Sequence, residues 1–377
     1  MRSSLIVLLC ATTYANACSI GAFPSLLPEI ARDTALSDWQ LGLFAGAFGL
    51  ARMVADLPAG LLIARRLGGA LVAGPIALAA GTLILVTANG FPALFAGRAL
   101  MGVGHALNMV AGLTAILQAS SARRLSVALN AFEFSAMVGL LSGAALVALL
   151  PRTLSWTTVL LIACAPQIFG FIVLPAVLAR LPRGFTTPAT PAPPVTAAAQ
   201  SGGLVVLAFA AGSAVAVSYS SVEQLVIPVR GSREFGLDRA GIARLFMLMQ
   251  TADILALLPL GVLADRVGSV RVLSTVVIAL AGATMLIGFA PLPGVAVGAV
   301  IFGLGMAGWM IPLSVLRRAT PPSRVAWRTA VYRVFVDGGL FLGPFVGGLV
   351  ANRHLAVVAL ALAGIGVGLV RAERARP

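Results

Sequence analysis

The sequence predicts an all-α membrane protein of twelve transmembrane helices, folded as two pseudo-symmetric six-helix bundles. Three observations predict it: a composition too apolar for a water-facing surface, twelve apolar runs of spanning length, and an internal repeat at offsets of 201 and 204 residues.

Hydrophobic residues make up 59% of the 377-residue chain and charged residues 10%, with a mean hydropathy of +1.02. Soluble domains carry about 25% charge, so this chain could neither coat a soluble surface nor stay disordered in water. The formal net charge of +14 invites a nucleic-acid reading. Every basic residue is Arg, however, and they fall in short clusters between apolar runs, as in Arg65-Arg66, Arg123-Arg124 and Arg317-Arg318. Topology signals are distributed that way, whereas a nucleic-acid footprint concentrates on one patch. No nucleic-acid partner is expected. Cys10, Cys18 and Cys164 lie within apolar runs without metal-ligand spacing, which reads them as packing residues. Neither a metal nor a cofactor is expected.

A bilayer core of about 30 Å needs about 20 apolar residues per helix. Such runs occupy residues 4–27, 39–64, 69–88, 91–117, 126–150 and 156–180, then 202–227, 240–264, 270–290, 293–316, 325–350 and 354–371. The first is too long for the apolar part of a signal peptide and has no convincing cleavage site before Glu29, so it reads as a retained helix. Residues 1–180 then form an N-terminal bundle and 202–377 a C-terminal one. Between them, residues 181–201 are rich in Pro, Thr and Ala, a composition that builds no core and favours an extended strap. With the N-terminus inside, sixteen arginines face the cytoplasm and six (Arg32, Arg152, Arg230, Arg233, Arg239 and Arg353) face outside. That bias follows the positive-inside rule. It puts both termini and the linker in the cytoplasm, with a bacterial inner membrane as the expected location.

The halves resemble each other. Pro58-Ala59-Gly60 ends the second run as Pro259-Leu260-Gly261 ends the eighth, 201 positions later, and Gly102-Val103-Gly104 matches Gly303-Leu304-Gly305 at the same offset. Glu133, Gly139 and Gly143 in the fifth run correspond to Asp337, Gly343 and Gly347 in the eleventh, at offset 204. Parallel repeats of this kind build alternating-access carriers with a site at the repeat interface.

Over essentially its whole length the chain then resembles the major facilitator superfamily. Gly261-Val262-Leu263-Ala264-Asp265-Arg266-Val267-Gly268 resembles the family's cytoplasmic loop motif G-x-L-A-D-R-x-G, singling out Gly261, Asp265, Arg266 and Gly268. The first-half counterpart, residues 60–68, is degenerate: Ala64 replaces the acid and the glycine has slipped by one. Arg98-x-x-x-Gly102-x-Gly104 resembles the family's second motif, whose Arg is associated with proton coupling. The antiporter signature G-P-x-x-G-G is missing from the fifth run and stands in the eleventh as Gly343-Pro344-Phe345-Val346-Gly347-Gly348. The resemblance implies a carrier whose first, fourth, seventh and tenth helices line the cavity and whose third, sixth, ninth and twelfth face lipid. A monomer is expected, with lipid, protons and a small-molecule substrate as its partners.

Charge within a bilayer costs at least about 2.5–3.5 kcal/mol per residue. The embedded residues are Arg52 and Asp56 in the second run, Arg98 and His105 in the fourth, Glu133 in the fifth, Arg244 and Asp253 in the eighth, and Arg333 and Asp337 in the eleventh. Arg52–Asp56 and Arg333–Asp337 have i, i+4 spacing, on one helix face. Each pair is either a neutralised ion pair stabilising one conformer or a switch in which the carboxylate exchanges its Arg for a proton. Glu133 has no Arg or His within four residues, so its countercharge must come from another helix. It and Asp253 are candidate proton carriers. Arg98 is a candidate to bind an anionic group or tune a neighbouring acid, and for His105 a hydrogen-bonded packing role competes with a functional one.

Cavity candidates are Tyr14, Asn16, His105, Asn108, Tyr219, Gln224 and Trp309, with Ser218, Ser220 and the adaptable side chains of Met109, Met306 and Met310. This mostly small, neutral and apolar set suits a modest amphipathic organic molecule. Residues 303–308 spell the dinucleotide fingerprint G-x-G-x-x-G, but inside an apolar run without a preceding strand, so they read as close-packing small residues. The expected function is proton-coupled transport of a small organic solute by alternating access, with efflux favoured. The alternatives are an uptake symporter of a small metabolite and a non-transporting membrane receptor or scaffold. An enzyme is not expected, because no metal or nucleophile–base spacing is present.

Overall fold

The computed structural model describes residues 2–120, 125–181 and 202–374. Residues 182–201 of the 181–201 linker and Arg123, Arg124, Arg183 and Arg376 lie outside the described residues. Every regular element among those described is helical. The first half comprises α1 (Arg2–Asp33), α2 (Asp38–Val86), α3 (Phe91–Ala119), α4 (Leu125–Leu149), α5 (Trp156–Cys164) and α6 (Pro166–Leu178). The second comprises α7 (Gly202–Ser221), a π-helical segment (Val222–Val226), α8 (Ile227–Arg233), α9 (Arg239–Val267), α10 (Ser269–Phe289), α11 (Leu292–Met306), α12 (Ile311–Arg318), α13 (Pro322–Val350), a 3₁₀ turn (Ala351–Arg353) and α14 (His354–Arg374).

Among the described residues, ten helical stretches are long and apolar enough to cross a membrane by length and composition. One of them, Trp327–Arg374, contains two predicted spans, parted at Ala351–Arg353. The predicted span absent from the ten, residues 39–64, is helical throughout and carries Arg52 and Asp56. It joins the third span at Arg66, whose φ of −147° and ψ of 70° leave the helical region inside α2. The chain is an integral membrane protein, and its outer surface agrees: Leu149, Leu360 and Ile172 are largely exposed, a display that suits acyl chains and not water.

Local chemistry sets the helix ends. Ser37 and Gln40 form a capping box at the start of α2, with the Ser37 N–H donating to Gln40 Oε1 at 3.0 Å. Pro92 sits in the first turn of α3, where its missing N–H costs nothing. Ser155 Oγ accepts from the Thr158 N–H to cap α5. Proline also interrupts. The sixth predicted run is divided at Ala165 because Pro166 cannot donate, and the Ala165 N–H tightens onto Ile162 O at 3.1 Å instead. In the tenth run, Gly305 and Gly308 permit a tight turn in which Trp309 N–H reaches Met306 O at 2.8 Å and Ile311 N–H reaches Gly308 O at 2.9 Å. Pro312 then starts α12. By contrast α1 continues through Pro24 and Pro28 to Asp33, past the predicted end at 27.

The chain divides into two compact units, Met1–Thr187 with Pro228–Met247, and Pro188–Ile227 with Leu248–Pro377. In the first, α2 packs on α3 and α1 on α4; in the second, α10 packs on α14 and α11, and α13 on α7. The internal repeat is visible at the closest contacts. A Cβ on Gly102 would meet Phe48 O at 2.4 Å and Ala51 Cβ at 3.0 Å; a Cβ on Gly303 would meet Met249 O at 2.0 Å and Ala252 Cβ at 3.0 Å. Each partner lies 201 positions after its counterpart, so one helix crossing is built twice. Glycine is required because backbone faces backbone there.

Candidate functional site

Four apolar helices of the first unit contribute to a charged cluster. Arg98 on α3 is 0% exposed. Its guanidinium carbon lies 3.5 Å from the ring centroid of Phe23 on α1 and 4.7 Å from that of Phe48 on α2. Cation–π contacts of this kind contribute about 2 kcal/mol when desolvated. Two turns further along α3, the His105 ring lies 5.3 Å from the same Phe48 ring. Phe48 is therefore shared between the guanidinium and the imidazole. The charges of Arg52 and Arg98 both act on His105, and that of Arg52 acts on Glu133 of α4. Arg52 is thus a cation on another helix whose charge reaches Glu133. Asp56, one turn from Arg52 on α2, holds one carboxylate oxygen away from solvent.

The other first-unit candidates are arranged differently. Tyr14 is exposed and its hydroxyl donates to Ser142 Oγ at 3.2 Å. Asn16 is buried, and its side-chain amide has no hydrogen-bond partner among the described residues. Asn108 Oδ1 occupies the space a Cβ on Gly74 would need, 2.4 Å from that position, so its amide lies against α2. Arg244 is exposed on α9.

In the second unit, Asp337 is buried on α13 one turn after Arg333, and Asp253 on α9 shields one of its carboxylate oxygens. The rings of Tyr219 on α7 and Trp309, in the turn between α11 and α12, lie 5.9 Å apart at 56°. Gln224 Nε2 donates to Glu223 Oε1 at 3.3 Å. Glu223 is 3% exposed, and the sequence reading missed it. The signal was available, because it is a carboxylate inside an apolar run, like the acids that were singled out. In the loop motif, α9 continues through Gly261, Asp265 and Arg266, and the chain turns at Gly268 with φ 105°, a conformation glycine tolerates and other residues rarely adopt. Asp265 Oδ1 lies 3.7 Å from Arg318 Nη2, both largely exposed; such a pair stabilises by about 1 kcal/mol at most.

A further site was not legible in the sequence. Arg239 begins α9, within the first unit, and its side chain is 1% exposed. It donates to Glu29 Oε2 of α1 at 3.1 Å, to Leu154 O at 2.8 Å, and to Pro151 O. Ion pairs Arg152–Asp238 at 2.5 Å and Arg233–Asp38 at 2.8 Å flank it. A cavity of about 500 Å³ adjoins, lined among others by Ser25, Glu29, Arg233 and Arg239. No cluster of His, Cys, Asp and Glu among the described residues could hold a metal ion.

The model of the family described as Major Facilitator Superfamily matches this chain over residues 9–229 and again over 202–373. No curated protein matches at the level of sequence. Among solved structures, the peptide transporter POT in complex with sulfate aligns with a TM-score of 0.79 at 12% identity, covering 98% of this chain and 94% of that one. A bacterial homolog of the human lysosomal transporter Spinster, inward-facing and unoccupied, aligns at 0.70 with 15% identity, covering 98% and 95%. The nucleoside transporter NupG aligns at 0.71 with 14% identity, covering 98% and 99%. At such identities these likenesses establish the fold.

Proposed function

The chain belongs to the Major Facilitator Superfamily, and from that premise we propose that it is a proton-coupled secondary carrier, and not an enzyme, exporting a small amphipathic organic solute by alternating access. The moving bundles are residues 1–180 and 202–377, joined by 181–201 in the cytoplasm of a bacterial cell. The observation that carries this reading is the gathering of Arg52, Arg98, His105 and Glu133 within one unit of apolar helices. Each such charge costs about 2.5–3.5 kcal/mol to place in a bilayer. A carrier has a use for that expense, since a group whose partner changes with conformation can take up and release a proton.

Glu133 and Asp56 supply the exchange. Protonating Glu133 withdraws the negative charge on which Arg52 acts and leaves that guanidinium to Asp56, its neighbour one turn along α2. Arg98 and Phe48 hold the arrangement from α3 and α2. In the second bundle, Asp253 and the Arg333–Asp337 pair are further coupling candidates. The antiporter-like Gly343–Gly348 in α13 supports export over uptake.

The test is solute flux in proteoliposomes with and without an imposed pH gradient, for solutes first found by ligand-induced thermal stabilisation. Glu133→Gln is expected to abolish uphill, proton-driven transport while solute exchange continues. Unchanged uphill transport removes Glu133 from the coupling role. Absence of flux for every stabilising solute overturns the carrier reading in favour of a receptor.

A further inference from the structure

On the second unit, an apolar groove opens beside a row of arginines. Helices α7 and α13 run parallel: Tyr332 fills the space that a Cβ on Gly212 would need, and further along both helices Val217 O does so at Gly343 and Leu225 at Gly347. Gly202 and Pro322 therefore begin the two helices on the same side of the membrane, the cytoplasmic side in the proposed topology. A groove of about 440 Å³ lies between the two helices, lined by Val205, Val206, Phe209, Ala210, Ser213 and Phe335. It is open, with Val206 66% and Phe335 55% exposed. The Ser213 hydroxyl donates back to Phe209 O at 2.9 Å, so the lining side chains offer a ligand hydrocarbon only.

The row of arginines continues the groove along α13. Arg324, Arg328 and Phe335 stand at i, i+4 and i+11, which places all three on one helix face. Arg328 precedes Phe335 by two turns, about 10.5 Å along the axis. Arg324 is exposed; Arg328 is half-buried, its Nη1 donating to Thr320 Oγ1 at 3.2 Å. Arg317 and Arg318 are exposed at the end of α12, just before that turn. Between Asp265 and Asp337 the sequence holds seven arginines and no Asp or Glu, so positive charge is in excess where α12 ends and α13 begins. Trp327, beside Arg328, is 72% exposed, and an indole so displayed suits the boundary between membrane and water. It sets the arginines at the level of the headgroups and the groove deeper, among acyl chains.

A hydrocarbon slot with guanidiniums at its outer end is complementary to a molecule with an anionic head and an apolar tail, and the surrounding leaflet supplies one. Arginine matches phosphate with paired N–H donors, and basic sites between membrane helices hold anionic headgroups. We infer that the α7–α13 groove is a binding site for an anionic phospholipid of the bilayer, with its phosphodiester on Arg324 and Arg328 and one acyl chain along Val206, Phe209 and Phe335. A zwitterionic lipid fits less well, because the arginines repel the cation beside its phosphate. The inference needs only that the chain lies in a membrane, and it stands apart from the carrier reading.

The experiment uses the purified full-length protein with Trp39, Trp156 and Trp309 replaced by Phe, so that Trp327 alone reports. Its fluorescence quenching is compared in mixed bilayers for two lipids with the same brominated chains, phosphatidylglycerol and phosphatidylcholine. Phosphatidylglycerol is expected to bind about tenfold more tightly. Arg324→Gln together with Arg328→Gln should bring that ratio close to one, and Ala210→Phe, which fills the groove without changing charge, should weaken phosphatidylglycerol several-fold. Equal binding of the two lipids, or an unchanged ratio in the double arginine variant, overturns the proposal. So does full phosphatidylglycerol affinity in Ala210→Phe, which would reduce the site to surface charge. Displacement of the lipid by glycerol phosphate at comparable affinity would make it a site for free phosphate, and displacement by a transported solute would give the groove to the solute; either result also overturns it. Should the Phe background not fold, mass spectrometry of the lipids retained by the wild type and by Arg324→Gln reads the same preference.

Discussion

Replacing Arg239 with Met should loosen the end of the helices that it ties together, and the size of the effect follows from its contacts. The guanidinium donates to a carboxylate and two backbone carbonyls on α1 and the α4–α5 turn. Hydrogen bonds to charged groups contribute about 1.5–3 kcal/mol net each, and removing one member of a buried ion pair costs about 3–5 kcal/mol. The lower end applies here. The Glu29 side chain is 22% exposed against 1% for Arg239, so the carboxylate regains water once the guanidinium is gone. A loss of about 3 kcal/mol, at about 1.4 kcal/mol per decade, makes the open form roughly a hundredfold more populated.

Ser25 reports that population. It is 0% exposed, lies one turn before Glu29 and lines the adjoining cavity. With Cys10, Cys18 and Cys164 replaced by Ser, a cysteine at position 25 should react with a membrane-impermeant maleimide only when this end opens. When opening is fast relative to modification, the rate tracks the open population. Arg239→Met is expected to raise it about a hundredfold by the estimate above. Glu29→Gln, which keeps the guanidinium and both carbonyl acceptors, should raise it roughly tenfold. A rate within threefold of the parent for Arg239→Met would refute the reasoning, as would strictly additive effects of the two changes, since groups in contact must couple.

Gly303→Ala drives a methyl into Met249 O and should cost about 1–3 kcal/mol, read as a lower melting temperature in detergent; an unchanged melt would remove the close crossing from the account. Pro228→Ala restores an N–H for Gln224 O, so the π-turn at Val222–Val226 should relax to α-helix and the melting temperature in detergent should not fall. Asp265→Asn breaks only the exposed Arg318 contact and should leave the melting temperature within a degree or two, whatever it does to transport rate.

The sequence made the rods legible and their interruptions illegible, for a physical reason. Hydropathy reports whether a residue tolerates lipid, so runs such as 202–227 and 293–316 stand out. Whether a proline breaks its helix depends on what can satisfy the freed carbonyl nearby: α1 runs on through Pro24 and Pro28, while Pro166 and Pro312 each sit beside a break. The charged cluster was legible because the cost of an embedded charge is written in one dimension. Its geometry was not, since which face α3 turns to α2 decides that Asn108 lies against Gly74 and His105 against Phe48. Arg239 reads in the sequence as an outside-facing arginine bordering an apolar run, and only packing against Glu29 and the Pro151–Leu154 turn buries it.

The repeat makes the two halves comparable position by position, and their differences fall on the residues of interest. At the offset that equates Gly102 with Gly303, His105 corresponds to Met306, Asn108 to Trp309, and Ala111 to Pro312. So α3 is an unbroken helix bearing polar groups where the second half has a broken one bearing apolar and aromatic groups. A proton site needs its countercharges held at fixed distances, which regular helices provide; an interrupted helix frees backbone groups and suits solute binding better. If the first unit handles the proton and the second the solute head, the two functions should separate by mutation. Glu133→Gln should leave affinity for the transported solute within about threefold of the wild type, under 1 kcal/mol, while abolishing uphill transport. Calorimetry of that variant, with a solute first found by thermal stabilisation, decides the matter: a tenfold or greater loss of solute binding would mean that the division of labour between the halves does not exist.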